Sequence, residues 1–348
     1  MINNSKIYEQ DLIMSIKHII DLKKLKQSTI LITGATGTVG SFLVDMLAEY
    51  NKFESADIKI YAASRNLERL ADCFDSIKEY GITYIKYDLF EPIDFPFSVD
   101  YVIHAAGNAF PSVFTQNPVE TLYGTIYGTY NILDFAKKTK VKKVLYISSG
   151  EVYGQGDVSM PSYKENYGGY VDPVSPRSCY PNGKRTAETL CASFIQEYGL
   201  NCVIARLCHT YGPTITKNDN RANVQFFRNV LNGEDIKLKS AASQLRSYNY
   251  IADCASAVLS VLTKGKNGEA YNIANKHSQC TIAEFANIVA AVSGQKVLFT
   301  EPDKVDKSNQ SPIAKQVLNT EKLELLGWKG CFSVEEGISH TIKIMQGK

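Results

Sequence analysis

Short apolar runs alternate with amphipathic stretches along the chain from Thr29 onward. Apolar runs of this length predict buried strands, and apolar residues at helical spacing predict the helices between them. Strands that alternate with such helices favour a parallel sheet with right-handed crossovers, which is a doubly wound α/β fold. The predicted strands are Thr29–Thr33, Ile58–Ala62, Thr83–Tyr87, Tyr101–His104, Lys143–Ser148 and Cys202–Leu207, and the predicted helices are Val39–Glu49, Leu67–Tyr80, Thr121–Thr139 and Pro181–Tyr198.

The pattern changes on both sides of this series. Residues 7–26 carry apolar residues at roughly helical spacing, which predicts a helix that serves as a packing or oligomer element or, alternatively, lies on a membrane surface. After Tyr211 the alternation loosens, although Tyr248–Leu262 is typical of a strand and helix that return to the sheet, and Thr281–Val292 predicts another helix. We therefore predict an N-terminal extension (1–28), a main domain (29–211, with 247–275 returning to it) and a smaller C-terminal substrate lobe (212–246 and 276–348).

Composition and charge exclude several classes of protein. Lys and Arg total 38 against 36 Asp and Glu, and no segment is strongly basic, so nucleic-acid binding is not expected. No run of 18 apolar residues and no signal peptide is found, so we expect no membrane association. The eight cysteines form no Cys-x-x-Cys pair and the five histidines do not cluster with them, which predicts reduced thiols in the cytoplasm and no metal site.

A glycine-rich stretch, Gly34-Ala-Thr-Gly37-Thr-Val-Gly40, joins the first predicted strand to the first predicted helix. Glycines here permit a tight turn and let a pyrophosphate approach the backbone, while the helix N-terminus faces its negative charge. The position of the motif at the start of the series predicts a dinucleotide cofactor, NAD or NADP, and makes 29–211 a Rossmann domain. The predicted contacts in the motif are Gly34, Thr36, Gly37, Thr38, Val39 and Gly40.

The residues after the next strands bear on the identity of the cofactor. An NAD-selective site usually has an acidic residue after the second strand, which binds the ribose 2′-hydroxyl. Here Ser64 and Arg65 occupy this place, and Arg65 can pair with the 2′-phosphate of NADP. NADP is therefore favoured over NAD, unless Arg65 is an ordinary solvated arginine. Further cofactor contacts are predicted at Asp88 and Leu89 after the third strand and at Ala105, Ala106 and Gly107 after the fourth.

A candidate catalytic set follows the fifth predicted strand. This strand runs into Ser149, and Tyr180 and Lys184 come about thirty residues later, four positions apart, so that they share one face of a helix. The lysine ammonium is expected to lower the pKa of the phenol from about 10 toward neutrality. Tyr180 can then exchange a proton with a substrate hydroxyl while the cofactor exchanges a hydride, with Ser149 hydrogen-bonded to the same oxygen. Because Pro181 disfavours helical geometry before it, Tyr180 is predicted at the first helical position.

These motifs together resemble the extended short-chain dehydrogenase/reductase family, in which NAD(P)-dependent epimerases and dehydratases act on nucleotide-activated sugars. The resemblance covers about 29–345, with further matches at 104–107, 211–213, 246–250 and 326–328, and residues 167–191 are most similar to UDP-glucuronate decarboxylases. It implies that Glu151 lies beside the sugar ring and that Arg246 binds near the diphosphate or sugar carboxylate. The alternatives are a loop cap for Glu151 and an ion pair with Asp253 for Arg246. The resemblance also implies a homodimer formed through the helices at 121–139 and 181–198.

Some positions depart from the family pattern. His209 stands where many relatives have an asparagine that contacts the substrate phosphates, and is predicted to bind substrate; Thr125 replaces another asparagine. Gly150 stands where decarboxylases typically have serine, and 4,6-dehydratases have an aspartic acid in this region that protonates the leaving hydroxyl.

The resemblance implies that the reaction begins with oxidation at sugar C4 to a 4-keto intermediate. An epimerase or a decarboxylase acting on a nucleotide sugar is the first expectation, as in polysaccharide biosynthesis. The alternatives are an NADPH-dependent reductase or a 4,6-dehydratase of an activated or phosphorylated sugar, and a non-catalytic protein that binds the cofactor.

Overall fold

The computed structural model of the protein describes residues 5–216, 218–300 and 313–348. Its strands are β1 Thr29–Thr33, β2 Lys59–Ser64, β3 Ile82–Lys86, β4 Tyr101–His104, β5 Lys143–Ser149, β6 Cys202–Leu207, β7 His209–Tyr211, β8 Ile236–Leu238, β9 Leu245–Tyr250, β10 Ala270–Ile273, β11 Gln279–Thr281, β12 Val297–Phe299 and β13 Lys315–Gln316. Its α-helices are α1 Lys6–Lys17, α2 Thr38–Glu54, α3 Leu67–Phe74, α4 Pro111–Gln116, α5 Pro118–Thr139, α6 Cys179–Tyr198, α7 Ala222–Leu231, α8 Ile251–Lys264, α9 Ile282–Ser293, α10 Glu321–Leu325 and α11 Val334–Met345.

Within the described residues, seven parallel strands form the main sheet in the order β3-β2-β1-β4-β5-β6-β10. The middle of β1 is fully buried at Ile30, Leu31 and Ile32, because helices cover both faces of the sheet. The strand order reverses between β1 and β4, and a crevice opens at the carboxyl ends of strands at such a point. The predicted doubly wound α/β fold is confirmed.

The strand predicted to return to this sheet after residue 247 is placed differently. β9 pairs with β7, β11 and β13 in a second, four-stranded sheet. The helix that follows it, α8, does pack on the main sheet, and the strand that returns is β10, at the edge beside β6. In contrast to the apolar middle of β1, four of the buried residues of β9 are polar or phenolic: Arg246, Ser247, Tyr248 and Asn249. The prediction for β9 is therefore wrong and that for α8 is confirmed. The division into domains stays a prediction.

The predicted helix at 7–26 is shorter in the structure. α1 ends at Lys17, and Asp21, with a left-handed φ of 54°, separates it from a 3₁₀ turn at Leu22–Leu25. α1 is buried against the rest of the protein: the ring of Tyr8 packs edge-on against Phe42, 5.6 Å between centroids. Its inner face also carries hydrogen bonds from Tyr8 Oη to Asp45, 2.5 Å, and from Tyr250 Oη to Asp11, 2.6 Å.

These contacts bury one face of α1 against the rest of the protein, as expected of a packing element. In the described part of the chain, no helix is both long and apolar enough to cross a membrane.

Candidate active site

One cleft at the carboxyl ends of the main sheet brings together residues predicted for three different roles. The cleft and the open solvent at its mouth together take up about 1050 Å³. From the predicted set it is lined by Gly34, Gly37, Thr38, Val39, Gly40, Ala105, Gly107, Ser149, Glu151, Tyr180, Lys184 and His209. Residues that are far apart in sequence meet here because each follows the end of a parallel strand or begins a helix at the same edge of the sheet.

The glycine-rich loop supplies one wall of the cleft. Gly34 has a φ of +69°, and a Cβ there would lie 2.8 Å from backbone atoms of Ala105 and Ala106. Gly40 is in the first turn of α2, where a Cβ would lie 2.2 Å from the carbonyl oxygen of Gly34. The loop and helix are thus closely packed. The N-cap residue of α2 is Gly37, and no side chain there bonds to the first amide groups of the helix. The free amide groups and helix dipole fit the pyrophosphate of a dinucleotide.

The predicted contacts for the adenosine half lie beyond this loop. Ser64 Oγ is 3.2 Å from Thr36 Oγ1, whereas Arg65 is exposed. Asp88 accepts a hydrogen bond from the Phe90 amide at 3.0 Å, and it has a half-buried side chain. Leu89 packs toward Gly128, and the Ala106 amide donates to Thr33 Oγ1 at 3.2 Å. Thr36, Ser64, Arg65, Asp88, Leu89 and Ala106 therefore do not line the cleft itself, and their cofactor contacts stay predictions.

Tyr180 is the second residue of α6, not the first as predicted. A 3₁₀ turn, Pro176–Ser178, leads directly into the helix, so that α6 begins at Cys179. Pro181 is tolerated because the amides of the first helical turn need no intrahelical partner. The Tyr180 ring is buried and stacks on Phe114 of α4, 5.1 Å between centroids, which holds the phenol at the cleft.

The pKa of Tyr180 differs from the expected one, and that of Lys184 is also shifted. Burial, and then the Glu151 carboxylate, raise the pKa of Tyr180 to about 12, although a hydrogen bond with Ser149 lowers it. Burial lowers the pKa of Lys184 to about 8. Lys184 Nζ donates to the Ile147 carbonyl at 2.8 Å and lies 4.8 Å from the Tyr146 ring centroid. The prediction that the protein alone brings the phenol pKa toward neutrality is wrong, because the desolvation of Tyr180 dominates.

Glu151 is held by an arginine that sequence reasoning did not assign to the site. Arg177 Nη1 and Nη2 donate to the two carboxylate oxygens of Glu151 at 3.2 and 3.3 Å. The same guanidinium lies over the ring of Phe114, 4.4 Å from its centroid. Arg177, Phe114 and Tyr180 therefore form a continuous stack, with Glu151 attached at one end. Glu151 lines the cleft, and its place beside the sugar ring stays a prediction.

His209 lines the cleft, and Arg246 is buried close enough for its charge to act on it. Arg246 is 3% exposed and donates to the carbonyl oxygens of Leu245, Ile313 and Ala314. It does not line the cleft wall, but its charge, after burial, lowers the pKa of His209, which falls to about 3. The alternative that Arg246 pairs with Asp253 is wrong, because this carboxylate accepts from Asn275 Nδ2 and from the amides of Cys331 and Phe332.

Several other residues of the cleft belong to no motif that can be recognised in a single sequence. Arg221 lines the cleft beside His209 and is held by a salt bridge to buried Asp219, 2.6 Å between Nη2 and Oδ2. Thr125 lies outside the cleft, where its hydroxyl donates to the Thr121 carbonyl and its side chain faces Gly183 of α6. The cleft residues that sequence reasoning missed include Asn108, Phe110, Arg221 and Gln316.

Comparison with known proteins decides the family. The model of the NAD dependent epimerase/dehydratase family matches residues 30–274. The chain belongs to this family. The match begins with β1 and ends just after β10, so it covers the seven strands of the main sheet and the residues of the cleft except Gln316.

Curated relatives in the family extend the likeness beyond the matched region. UDP-glucuronic acid decarboxylase 1 of Xenopus tropicalis is 31% identical over 324 residues, which are 92% of this chain and 73% of that protein. UDP-glucuronic acid decarboxylase 5 of Arabidopsis thaliana is 32% identical over 311 residues, 89% of this chain and 86% of that protein. The predicted resemblance to decarboxylases of this kind is confirmed.

Solved structures agree on the fold. UDP-N-acetylglucosamine 4-epimerase from Methanobrevibacter ruminantium superposes with a TM-score of 0.78 at 24% identity, over 92% of this chain and 98% of that one. UDP-glucuronic acid 4-epimerase from Bacillus cereus, in complex with UDP-glucuronic acid and NAD, gives 0.76 at 21% identity, over 92% and 99%. The Rossmann-type fold of the epimerase/dehydratase family therefore extends over most of this chain.

Proposed function

We propose that the protein is an NAD(P)-dependent enzyme that modifies a nucleotide-activated sugar through oxidation at C4, with decarboxylation of UDP-glucuronate as the leading candidate. The observation that carries the proposal is the meeting of Tyr180, Lys184 and Ser149 with the glycine-rich loop in one cleft. The decarboxylases at 31–32% identity support the choice of substrate, since they match about nine-tenths of this chain.

The residues at the cleft fit a bound dinucleotide. Gly34 and Gly40 have no side chain, so the backbone is uncovered where a pyrophosphate would lie. The N-terminus of α2 carries a partial positive charge there. A bound nicotinamide would supply the acceptor for the hydride from C4 and a positive charge. Positive charge near a buried phenol favours its ionised form, which offsets the burial that holds the pKa of Tyr180 at about 12.

Each side chain of the cleft then has its own role in the first step, the oxidation at C4. Tyr180 Oη takes the proton of the sugar hydroxyl as general base. Ser149 Oγ hydrogen-bonds the same oxygen, and Lys184, fixed on the Ile147 carbonyl, provides a positive charge beside the phenol. Glu151, oriented by Arg177, lies along the sugar, and His209, with the buried charge of Arg246 near it, lies toward the sugar acid or diphosphate. A 4-keto sugar acid loses CO₂ readily because the ketone stabilises the electrons left behind.

A direct assay tests this function. The purified protein, loaded with NAD, is incubated with UDP-glucuronate, and the products are identified by mass spectrometry and NMR. We expect release of CO₂ with formation of a UDP-pentose or UDP-4-keto-pentose. Inversion at C4 with the carboxylate retained would indicate an epimerase instead. Stoichiometric consumption of NADPH with a reduced sugar product would contradict the proposal and favour the reductase.

The dehydratase alternative has less support in the site. Gly150 precedes Glu151, so the position bears no acid that can protonate a leaving hydroxyl. Both carboxylate oxygens of Glu151 already accept hydrogen bonds from the outer nitrogens of Arg177. UDP-glucose and dTDP-glucose should therefore yield no 4-keto-6-deoxy sugar in the same assay.

The preference for NADP over NAD is a finer proposal. β2 ends at Ser64 with no acid after it, Arg65 is exposed there, and Arg69 Nη2 donates to the Thr36 carbonyl at 3.3 Å. Replacement of Arg65 by alanine is expected to weaken NADP binding about tenfold or more while leaving NAD binding nearly unchanged, since an arginine bound to a phosphate contributes a charge-assisted hydrogen bond. Calorimetric titration with both cofactors measures this difference. Wild-type protein that binds NAD more tightly would overturn the preference.

The oligomeric state and the location are proposals of the same kind. α5 exposes Val119, Tyr123 and Tyr130 beside α6, and an exposed apolar face on this helix pair fits a homodimer. Sedimentation equilibrium of the wild-type protein distinguishes a dimer from a monomer. Cytoplasmic location is proposed because all eight cysteines are unpaired thiols, as expected in a reducing compartment.

A further inference from the structure

Gln316 is a buried amide on the wall of the cleft whose donor group is unused. It lies on β13, its side chain is 3% exposed, and it lines the cleft together with Ser149 and Glu151. Among residues 5–216, 218–300 and 313–348, none accepts a hydrogen bond from Gln316 Nε2. A buried N–H group without a partner destabilises the protein, so such groups usually acquire a partner. A ligand in the cleft is the natural source of that acceptor.

The position of Gln316 follows from the pairing of its strand. β13 runs parallel to β9, with Gln316 opposite Arg246 in the register. This pairing brings the amide toward the carboxyl end of β5, where Ser149 and Glu151 follow the strand. Because Arg246 is committed to three carbonyl oxygens, it does not compete for the acceptor that Gln316 requires.

Gly150 lies directly beside the Gln316 amide. A Cβ at residue 150 would lie 3.4 Å from Gln316 Cδ, 3.4 Å from Leu318 Cδ2 and 3.5 Å from the Leu207 carbonyl oxygen. A larger side chain would therefore occupy the space beside the amide. With glycine there, the Gln316 amide adjoins the backbone between Ser149 and Glu151, the two residues assigned to the sugar.

We propose that Gln316 Nε2 donates a hydrogen bond to an oxygen of the substrate sugar, and that Gln316 is therefore a specificity-determining residue of this cleft. The proposal rests on the proposed function and deepens it. The acceptor is a sugar hydroxyl or carboxylate oxygen and not the diphosphate, because the amide lies beside Gly150 and hence beside the residues that face C4. A neutral donor at this point fixes the ring without adding charge to the reacting centre.

Two substitutions and a pair of ligands test the assignment. Gln316→Met keeps the length of the side chain and removes the amide, whereas Gln316→Glu keeps its shape and replaces the donor by an acceptor. Binding of UDP-glucuronate and of UDP to the NAD-loaded protein is measured by calorimetry. For both variants we expect the Kd of UDP-glucuronate to rise about tenfold, as loss of one buried hydrogen bond implies, with the Kd of UDP unchanged.

The matched control is Gln295→Met. The Oε1 atom of Gln295 is also buried without a partner among the described residues, but this glutamine lies between α9 and β12 and does not line the cleft. This control variant is expected to bind both ligands as the wild type does. A thermal unfolding curve for each variant separates a lost contact from a lost fold, and the glutamate variant serves if the methionine variant is unfolded.

The outcomes separate the two proposals. Wild-type binding of UDP-glucuronate that survives both Gln316 substitutions overturns the assignment of Gln316 and leaves the proposed function intact. An equal loss for UDP and for UDP-glucuronate also overturns it, because the amide would then contact the nucleotide. A wild-type protein that does not bind UDP-glucuronate overturns the proposed function and this assignment with it.

Discussion

Replacement of Tyr180 by phenylalanine is expected to lower turnover by about 10²–10⁴-fold, the contribution of a positioned general acid–base group, while leaving the Kd for the cofactor nearly unchanged. The substitution removes the phenolic oxygen only. The stack of the ring on Phe114, 5.1 Å between centroids, remains available to phenylalanine, so the helix start and the cleft wall should keep their shape. Turnover of UDP-glucuronate and calorimetric titration with NAD measure the two quantities.

The same substitution at Tyr198 is the control for this prediction. Tyr198 is the last residue of α6 and is 47% exposed, so Tyr198→Phe alters a phenol of the same helix far from the cleft. Wild-type turnover is expected for Tyr198→Phe. If Tyr180→Phe were equally active, Tyr180 would have no part in proton exchange, and if both variants were inactive, the loss would have a cause other than the proton.

Much of the fold can be predicted from the sequence because local pattern and tertiary role coincide there. The strands of the main sheet are apolar on both faces, as β1 is at Ile30, Leu31 and Ile32, and such runs have one stable place, the middle of a covered parallel sheet. β9 lacks this property, since Arg246, Ser247 and Asn249 are buried in it. Its place depends on partners at β7, β11 and β13, which its own sequence does not specify.

The candidate site divides in the same way. Tyr180, Lys184 and the glycines were predictable because fixed spacing on one helix or one loop determines their geometry. Arg177 and Gln316 were not predictable in this way. Arg177 pairs with Glu151, which is 26 positions away in the sequence, and Gln316 comes to lie beside Gly150 through the pairing of β13 with β9. The pKa values of the site are harder still to predict. A lysine four residues from a tyrosine suggests a lowered phenol pKa, but burial of Tyr180 raises this pKa instead.

Replacement of Gly40 by alanine is expected to weaken cofactor binding at least about 100-fold, since a shift of about 1 Å in a preorganised site can cost that much. A Cβ at this position would lie 2.2 Å from the Gly34 carbonyl oxygen and 3.0 Å from the Ala35 Cα, all backbone atoms that cannot rotate away. The first turn of α2 must therefore move from the loop, and the helix N-terminus moves away from the pyrophosphate. Titration with NAD and NADP measures the loss of affinity.

Gly168→Ala is the matched control, because a Cβ at Gly168 meets no atom within 4 Å and the residue needs no left-handed backbone. This variant should bind both cofactors as the wild type does. A loss of affinity in Gly40→Ala alone would then result from the contact with the Gly34 carbonyl and not from the replacement of a glycine as such. Overpacking also costs about 1–3 kcal/mol of stability, so the melting temperature of the Gly40 variant should fall as well. A Gly40 variant with a lowered melting temperature but unchanged cofactor affinity would show that the backbone absorbs the methyl group without moving the phosphate site, and would remove the helix N-terminus from the binding of the cofactor.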